Sequence, residues 1–112
     1  MAEGYKVEIS KRAQKDLDAI LHFLLINHSR ESAKRTYDAI LVKFEAIASM
    51  PTAYPKYIPQ GKSLKEVVRW TTAKKLYKIF FTVQEEIDGL LIVRVKHVKS
   101  SPLTILAALE EE

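Results

Sequence analysis

Residues 64–99, LKEVVRWTTAKKLYKIFFTVQEEIDGLLIVRVKHVK, decide the fold of this chain. Their runs of β-branched and aromatic residues predict three consecutive strands, at about 64–70, 75–83 and 90–98. In the middle run, alternation should place four large apolar side chains on one face of a sheet: Tyr77, Ile79, Phe81 and Val83. Asp88–Gly89, before the last run, is a hairpin turn signal. The stretch therefore predicts an antiparallel meander.

Alternation also predicts what the opposite face of this sheet carries. In the middle run Lys78 and Thr82 flank Phe80 on that face. In the last run we expect one face to carry Leu91, Val93 and Val95. The other face should carry Ile92, Arg94 and Lys96. The pattern predicts a sheet with a basic outer face, whose apolar face packs on the rest of the chain.

Positive charge is concentrated in the same part of the chain. Residues 56–99 hold ten Lys or Arg against four acids, about +6, whereas the whole chain carries +4. The first 55 residues are close to neutral, and the tail ends in three glutamates. This asymmetry points to a polyanionic or acidic partner. The alternative is a solvated strand face whose lysines only protect an edge from aggregation.

Two amphipathic helices are predicted before the meander. After a short strand at residues 5–10, Ser10 can cap a helix from Lys11 to Ile26. Ser29 can cap a second helix, whose apolar residues recur with helical spacing until Met50–Pro51, where proline disfavours a helical conformation in the preceding residue. Because the break between the helices is short, they should form an antiparallel hairpin.

The remaining segments complete an α+β domain. Residues 51–62 contain three prolines and are expected to form a loop, held down by Tyr54 and Tyr57. A short C-terminal helix should follow Ser101–Pro102, with a frayed tail at 103–112 because its last three acids oppose the helix dipole. The chain is thus expected to be a single domain, 1–112, in which the N-terminal strand joins the sheet.

Composition excludes several classes of protein. The chain has no cysteine, so thiolate metal sites and cysteine nucleophiles are excluded. Its three histidines are too scattered to predict a metal site, and no cofactor is expected. The N-terminus lacks the pattern of a signal peptide, and no apolar run approaches the roughly 18 residues that span a bilayer. A cytoplasmic protein is expected.

The chain resembles toxins of the RelE/ParE superfamily of bacterial type II toxin–antitoxin modules. The resemblance covers roughly Tyr5 to Lys99 and rests on the order and spacing of several parts. These are YKVEISKRAQKDLDAI, the helix pair, the proline-bearing loop, the arginine of VVRW, YKIFFTV and the closing VRVKHVK. It implies a small cytoplasmic toxin, also called a plasmid stabilisation protein, that a cognate antitoxin neutralises. We expect that antitoxin to be acidic and to fold as it binds.

The resemblance leaves two modes of action open. RelE-type members cleave messenger RNA in the ribosome, and ParE-type members inhibit DNA gyrase. For RNA cleavage the resemblance implies Arg69 as a phosphate clamp and His97 as acid or base, in an enzyme that needs no metal. Other cations could bind phosphate or a protein target: Lys75, Lys78, Arg94, Lys96 and Lys99.

Each of these side chains also has a structural interpretation. His97 could pack at the margin of the core, since alternation places it beside Val93 and Val95. Arg69 could pair with Glu66 or with an acid of the helix hairpin. Trp70 is expected to be a packing anchor rather than a base-stacking platform.

Departures from the ribonuclease pattern favour the ParE-type interpretation. Several RNA-cleaving relatives have a tyrosine in the C-terminal tail, but residues 100–112 contain none. Gln60–Gly61–Lys62 offers no acid where other relatives have a glutamate or histidine. Where the family often has His-x-Arg, this chain has His97–Val98–Lys99, which lacks the planar guanidinium. A ParE-like gyrase inhibitor is therefore expected, with a RelE-like ribonuclease or a degenerate, non-toxic antitoxin-binding module as alternatives.

Overall fold

The elements follow the predicted order in the structure, a computed structural model that describes residues 4–59 and 64–110. They are β1 (Lys6–Ile9), α1 (Lys11–Asn27), α2 (Arg30–Ser49), β2 (Arg69–Ala73), β3 (Tyr77–Gln84), β4 (Gly89–His97) and α3 (Pro102–Glu110). The predicted α+β class is confirmed.

Both helices of the hairpin begin at the predicted serines. The Ser10 side chain accepts a hydrogen bond from the backbone N–H of Ala13, and that of Ser29 accepts one from Ser32. These bonds satisfy backbone donors that a helix start leaves unpaired. α2 ends at Ser49, directly before Met50–Pro51, as predicted.

The four strands form one sheet in the order β1-β4-β3-β2. The meander β2–β3–β4 is antiparallel, and β1 lies parallel to β4, with Val7 opposite Leu90. The Asp88–Gly89 turn is also confirmed, because Asp88 adopts a left-handed conformation with φ 49° before β4 begins. β1 thus completes the sheet beside the last strand.

The first strand of the meander lies later than predicted. It spans Arg69–Ala73 rather than 64–70, because the turn after it lies at Lys74–Lys75 and sets Ala73 opposite Tyr77. The residue before it, Val68, gives its carbonyl to the N–H of Tyr57 in the proline-bearing loop. The proline-bearing loop therefore forms hydrogen bonds along the edge of the sheet next to residues 64–68, which were predicted to be part of the strand.

A β-bulge in β4 makes the predicted faces wrong for the part of that strand up to Val93, whereas those of residues 94–96 are as predicted. Phe80 pairs with Arg94, but Phe81 pairs with Ile92, so Val93 is the extra residue. Ile92 consequently lies in the same core as Leu90 and Val95, while Val93 packs on the opposite face. Simple alternation fails because one inserted residue reverses every side chain beyond it.

The helix hairpin covers one face of the sheet and builds the main core. Its central members are buried side chains from both layers: Leu17, Ile40, Phe44, Ile47, Ile79, Phe81, Leu90, Ile92 and Val95. The predicted inward face of β3 is confirmed, since Tyr77, Ile79, Phe81 and Val83 all belong to this core or pack against it.

The opposite face of the sheet carries a second, smaller core. Phe80 and Ile105 of α3 are almost completely buried there together with Val68, and Tyr57, Trp70 and Val93 pack around them. The expectation of a basic outer face is therefore wrong for its centre. α3 docks on this face because Ile105 and Ala108 provide an apolar side.

Some features of the sequence lie at or beyond the limits of the described residues. Gln60–Gly61–Lys62 lies outside them, as does the very end of the predicted frayed tail. Within residues 4–59 and 64–110, no helix is both long and apolar enough to cross a membrane. The same two ranges contain no group of three or more acids and histidines placed to hold a metal ion.

Candidate functional site

Five lysines gather at the end of the sheet where β2 turns into β3. Thr72, Lys78 and Lys96 form one row across three strands, and Lys74 and Lys75 form the turn beside them. Lys99 follows β4, close by, because the N–H of Val98 donates to the carbonyl of Leu76. We call Lys74, Lys75, Lys78, Lys96 and Lys99 the lysine surface. Adjacent lysines of like charge repel one another unless an anion lies between them.

The ammonium group of Lys78 makes a cation–π contact with Trp70. It lies 5.5 Å from the centre of the Trp70 ring, a cation–π distance. Tyr57 meets the same indole edge to face at 6.4 Å. The indole thus contacts two neighbouring side chains and packs against the smaller core, which agrees with the packing role expected for Trp70.

Arg94 forms a nearly buried ion pair with Asp16 that no pattern in the sequence predicts. Its Nε donates to Oδ2 of Asp16 at 2.8 Å and its Nη2 donates to Oδ1 at 3.0 Å. The two side chains are only 12% and 10% exposed. Asp16 also accepts from the N–H of Val95 at 3.0 Å and lies 3.6 Å from the ammonium of Lys96. This single carboxylate offsets one of the five positive charges that were assigned to target binding, and it holds Arg94 in the framework.

Arg69 lies on the helix-facing side of the sheet, at the start of β2. It pairs with Phe81, and its Nη1 donates to the carbonyl oxygen of Tyr54 at 2.7 Å. The acceptor is thus a backbone carbonyl, and not Glu66 or an acid of the hairpin as the sequence led us to expect. Tyr54 itself packs edge to face on Phe81 at 5.9 Å. Arg69 therefore helps to hold the proline-bearing loop against the sheet.

His97 ends β4 beside the lysine surface. Its Nδ1 accepts a hydrogen bond from the backbone N–H of Lys99 at 3.0 Å. Its ring meets that of Tyr77 edge to face at 5.5 Å. Since Nδ1 is an acceptor, the neutral imidazole carries its proton on Nε2. The half-buried ring is placed at the core margin, as its structural interpretation expected, although Val93 lies on the other face.

The proline-bearing loop is anchored by both of its tyrosines, as expected. Tyr54 joins the main core, and Tyr57 packs on Phe80 at 5.1 Å in the smaller core. Neither ring is therefore available as an open platform for a nucleotide base.

The architecture and sequence together decide the family. The family model of the ParE toxin of the type II toxin–antitoxin system, parDE, matches residues 7–102. The match begins within β1, runs through the helix hairpin and the meander, and ends as α3 starts. The chain belongs to the ParE toxin family. The resemblance inferred from the sequence is thereby confirmed, and the chain is a ParE-type toxin of a type II toxin–antitoxin system.

Solved toxins of this superfamily share the fold at low sequence identity. A chromosomal ParDE system from P. aeruginosa matches with a TM-score of 0.67 and 17% identity, over 88% of this chain and 100% of that one. The RelBE2 complex from Mycobacterium tuberculosis has a TM-score of 0.60 and 16% identity, over 89% and 98%. The archaeal RelE–RelB complex from Pyrococcus horikoshii has a TM-score of 0.59 and 14% identity, over 88% and 100%. No curated protein matches the sequence.

In this ParE-type toxin, the two candidate catalytic residues lie at opposite ends of the sheet. Arg69 and Ala73 are the first and last residues of β2, and Ala73 lies in the same row as Tyr77 and His97. Four residues along a strand and two strands across correspond to about 16 Å between the Cα atoms of Arg69 and His97. The structure therefore brings His97 to the lysine surface but leaves Arg69 apart from it.

Proposed function

We propose that this ParE-type toxin acts by binding rather than by chemistry of its own. Its target would be DNA gyrase or a similar enzyme, and a cognate acidic antitoxin would neutralise it. The proposal places the protein in the cytoplasm, where such a target is found. One observation carries the proposal, namely the separation of Arg69 from His97.

This separation argues against a shared catalytic centre. An acid or base must come within hydrogen-bond reach of the group it serves, and a cation must touch the phosphate on which charge develops. With about 16 Å between the Cα atoms, Arg69 and His97 could reach one phosphodiester only if both side chains extended toward each other. The bond from Arg69 to the Tyr54 carbonyl gives this side chain a structural task instead.

The partners follow from charge and from relatives. The lysine surface presents cations that an acidic protein segment would neutralise. The solved RelBE2 structure from Mycobacterium tuberculosis is a toxin–antitoxin complex, as is the archaeal RelE–RelB structure. These relatives support an antitoxin partner for the present toxin.

The RelE-like ribonuclease remains the second candidate, because one observation favours it. His97 stands beside Lys96 and Lys99, so a proton-transfer group lies next to cations that could bind RNA. In this alternative Arg69 would not take part directly, and the lysines would supply the charge on the phosphate.

Induced expression in bacteria, with and without the protein encoded by the adjacent gene, tests the proposal. We expect growth arrest, induction of the DNA damage response and intact messenger RNA, all relieved by co-expression of the neighbour. Purified gyrase should accumulate cleaved DNA when the toxin is added. Cleavage of messages at defined codon positions in the presence of ribosomes would overturn the proposal in favour of the ribonuclease.

A further inference from the structure

The turn between β2 and β3 contains two lysines in an unfavourable backbone conformation. Lys74 and Lys75 have φ values of 53° and 59°, and the N–H of Leu76 donates to the carbonyl of Ala73 at 3.0 Å. Positive φ at both central residues is the mark of a type I′ turn, which strongly prefers Asn-Gly. Lysine is strained there because its Cβ crowds the following carbonyl oxygen.

Strained residues of this kind concentrate at functional sites, where the local cost is retained for another purpose. In this turn the left-handed backbone places two exposed lysines at the tip of the sheet, beside Lys78 and Lys99. A turn that served only to reverse the chain would be more stable with asparagine and glycine. The stability of the turn therefore does not explain why lysines occupy these two positions.

The surroundings of the turn are suited to an extended protein segment. The N–H of Trp70 is taken by the carbonyl of Pro55, so the N–H and C=O of Thr72, two residues on, point to the same open edge. Leu76, in the turn itself, is 41% exposed. The site thus combines cations, backbone groups at a strand edge and one apolar side chain.

The same surroundings are poorly suited to nucleic acid. The Lys78 ammonium lies over the Trp70 ring, so a base could stack there only by displacing it. The arginine of the neighbouring row, Arg94, holds Asp16 in a bidentate pair. The lysines have no planar fork for bidentate phosphate recognition, and exposed Leu76 would gain nothing from a phosphate backbone.

We propose that the Lys74–Lys75 turn is a docking site for an acidic protein segment that carries aliphatic side chains. The segment's carboxylates meet the lysine surface, an aliphatic side chain covers Leu76, and its backbone pairs with the open edge at Thr72. The inference deepens the proposed function and rests on it for the existence of a protein partner.

A binding experiment on the full chain tests the site directly. The probe is a synthetic peptide of glutamates and leucines, added to isotope-labelled toxin and followed by amide NMR shifts. Two further probes are the same peptide with its leucines replaced by serines and a short DNA duplex. We expect the glutamate–leucine peptide to bind most tightly and to shift Thr72 to Leu76 and Lys99. Shifts confined to other regions, or tighter binding of the DNA, would overturn the proposal.

Two double variants separate charge from strain. K74Q/K75Q removes the charges and keeps the strain, whereas K74N/K75G removes both. We expect each double variant to weaken peptide binding about tenfold. It removes two ion pairs, and one exposed ion pair contributes up to about fivefold to affinity. K74N/K75G should raise Tm by about 5 °C or more above the Tm of K74Q/K75Q, because only the former also relieves the backbone strain. The control K6Q/K15Q loses the same net charge at exposed lysines elsewhere and should bind like the unaltered chain.

The outcomes of this test are independent of toxicity. Equal peptide affinity in the unaltered chain and both turn variants would overturn the docking site, even if the toxin arrests growth. Peptide binding that is lost in both turn variants supports the site, even if the gyrase assay fails. The inference and the proposed function can therefore fail separately.

Discussion

The carboxylate of Asp16 on α1 holds the guanidinium of Arg94 on β4 through two hydrogen bonds, of 2.8 and 3.0 Å. It also accepts the N–H of Val95 just after the bulge, at a strand edge that β1 no longer covers. One acidic side chain therefore joins the helix hairpin to the irregular part of the sheet. Arg94 is consequently a structural residue as well as a predicted target-binding one.

Removing this carboxylate should be costly. Asp16→Ala removes a carboxylate that makes a bidentate pair with the nearly buried Arg94, and breaking such a pair typically lowers the free energy of unfolding by about 3–5 kcal/mol. Chemical denaturation of the purified toxin measures the change. Asp18→Ala is the matched control, because Asp18 is exposed and accepts a surface hydrogen bond from Gln14, and it should change stability by less than about 0.5 kcal/mol. Equal effects of the two substitutions would contradict a structural role for Asp16.

The apolar stripe of α2 can be tested at Phe44, which is 3% exposed in the main core. Phe44→Ala should reduce the free energy of unfolding by about 3–5 kcal/mol, because it leaves a cavity between α2 and the sheet. Val42→Ala on the same helix is the control, since Val42 is 65% exposed. We expect an almost unchanged denaturation midpoint for that control. A small effect at Phe44 would mean that the stripe does not face the core.

Alkaline stability should depend on Tyr77. Burial raises the pKa of its hydroxyl above the usual value of 10.0. The folded state thus holds this proton more tightly than the unfolded state, so the contribution to stability is complete below about pH 10 and is lost as the pH rises through the raised pKa. The denaturation midpoint is measured at about pH 8 and at about pH 11. Its fall between these two pH values should be smaller in Tyr77→Phe than in the unaltered chain. An equal fall in both proteins would count against this assignment.

Variants of the two candidate catalytic residues separate a binder from an enzyme. If the toxin acts by docking, messages stay whole with the unaltered chain, with Arg69→Ala and with His97→Ala. Any loss of toxicity then follows lost target affinity or, for Arg69→Ala, lost stability of about 1.5–3 kcal/mol from its bond to Tyr54. RNA sequencing after induction provides the measurement. A ribonuclease that uses His97 would instead lose about 100-fold or more in cleavage rate in His97→Ala, with antitoxin affinity largely kept.

Antitoxin binding should depend on salt. An acidic antitoxin that covers the lysine surface gains part of its affinity from exposed charges, which salt screens with a Debye length of about 8 Å at physiological ionic strength. Co-purification with the protein of the adjacent gene, followed by salt titration, should show weaker binding as salt rises. Failure of the neighbour to bind even at low salt would remove the main support for this pairing.

Much of the fold could be predicted because its signals are local. The serine caps at Ser10 and Ser29 and the proline after Met50 lie within a few residues of the helix ends they determine. The alternation from Tyr77 to Val83 identifies the buried face of β3 in the same way. Side-chain periodicity and backbone restrictions act over a few residues, so the sequence displays them directly.

The site was less predictable because its contacts join distant parts of the chain. Asp16 and Arg94 are 78 residues apart and no pattern links them. The displacement of Arg69 from His97 depends on strand register, and the faces of β4 depend on the bulge at Val93. Alternation correctly placed lysines at Lys78 and Lys96 on one face, but it could not show that Asp16 neutralises one of them.

The sequence by itself determined the elements, their order and the family, since capping, periodicity and turn chemistry are properties of neighbouring residues. Only the tertiary structure decided which cations stay exposed and which become part of the framework. It placed Arg94 against Asp16, Arg69 against Tyr54 and Ile105 over Phe80. The physical reason is that burial and charge pairing depend on which surfaces meet when the chain closes on itself, and those surfaces come from residues far apart in sequence.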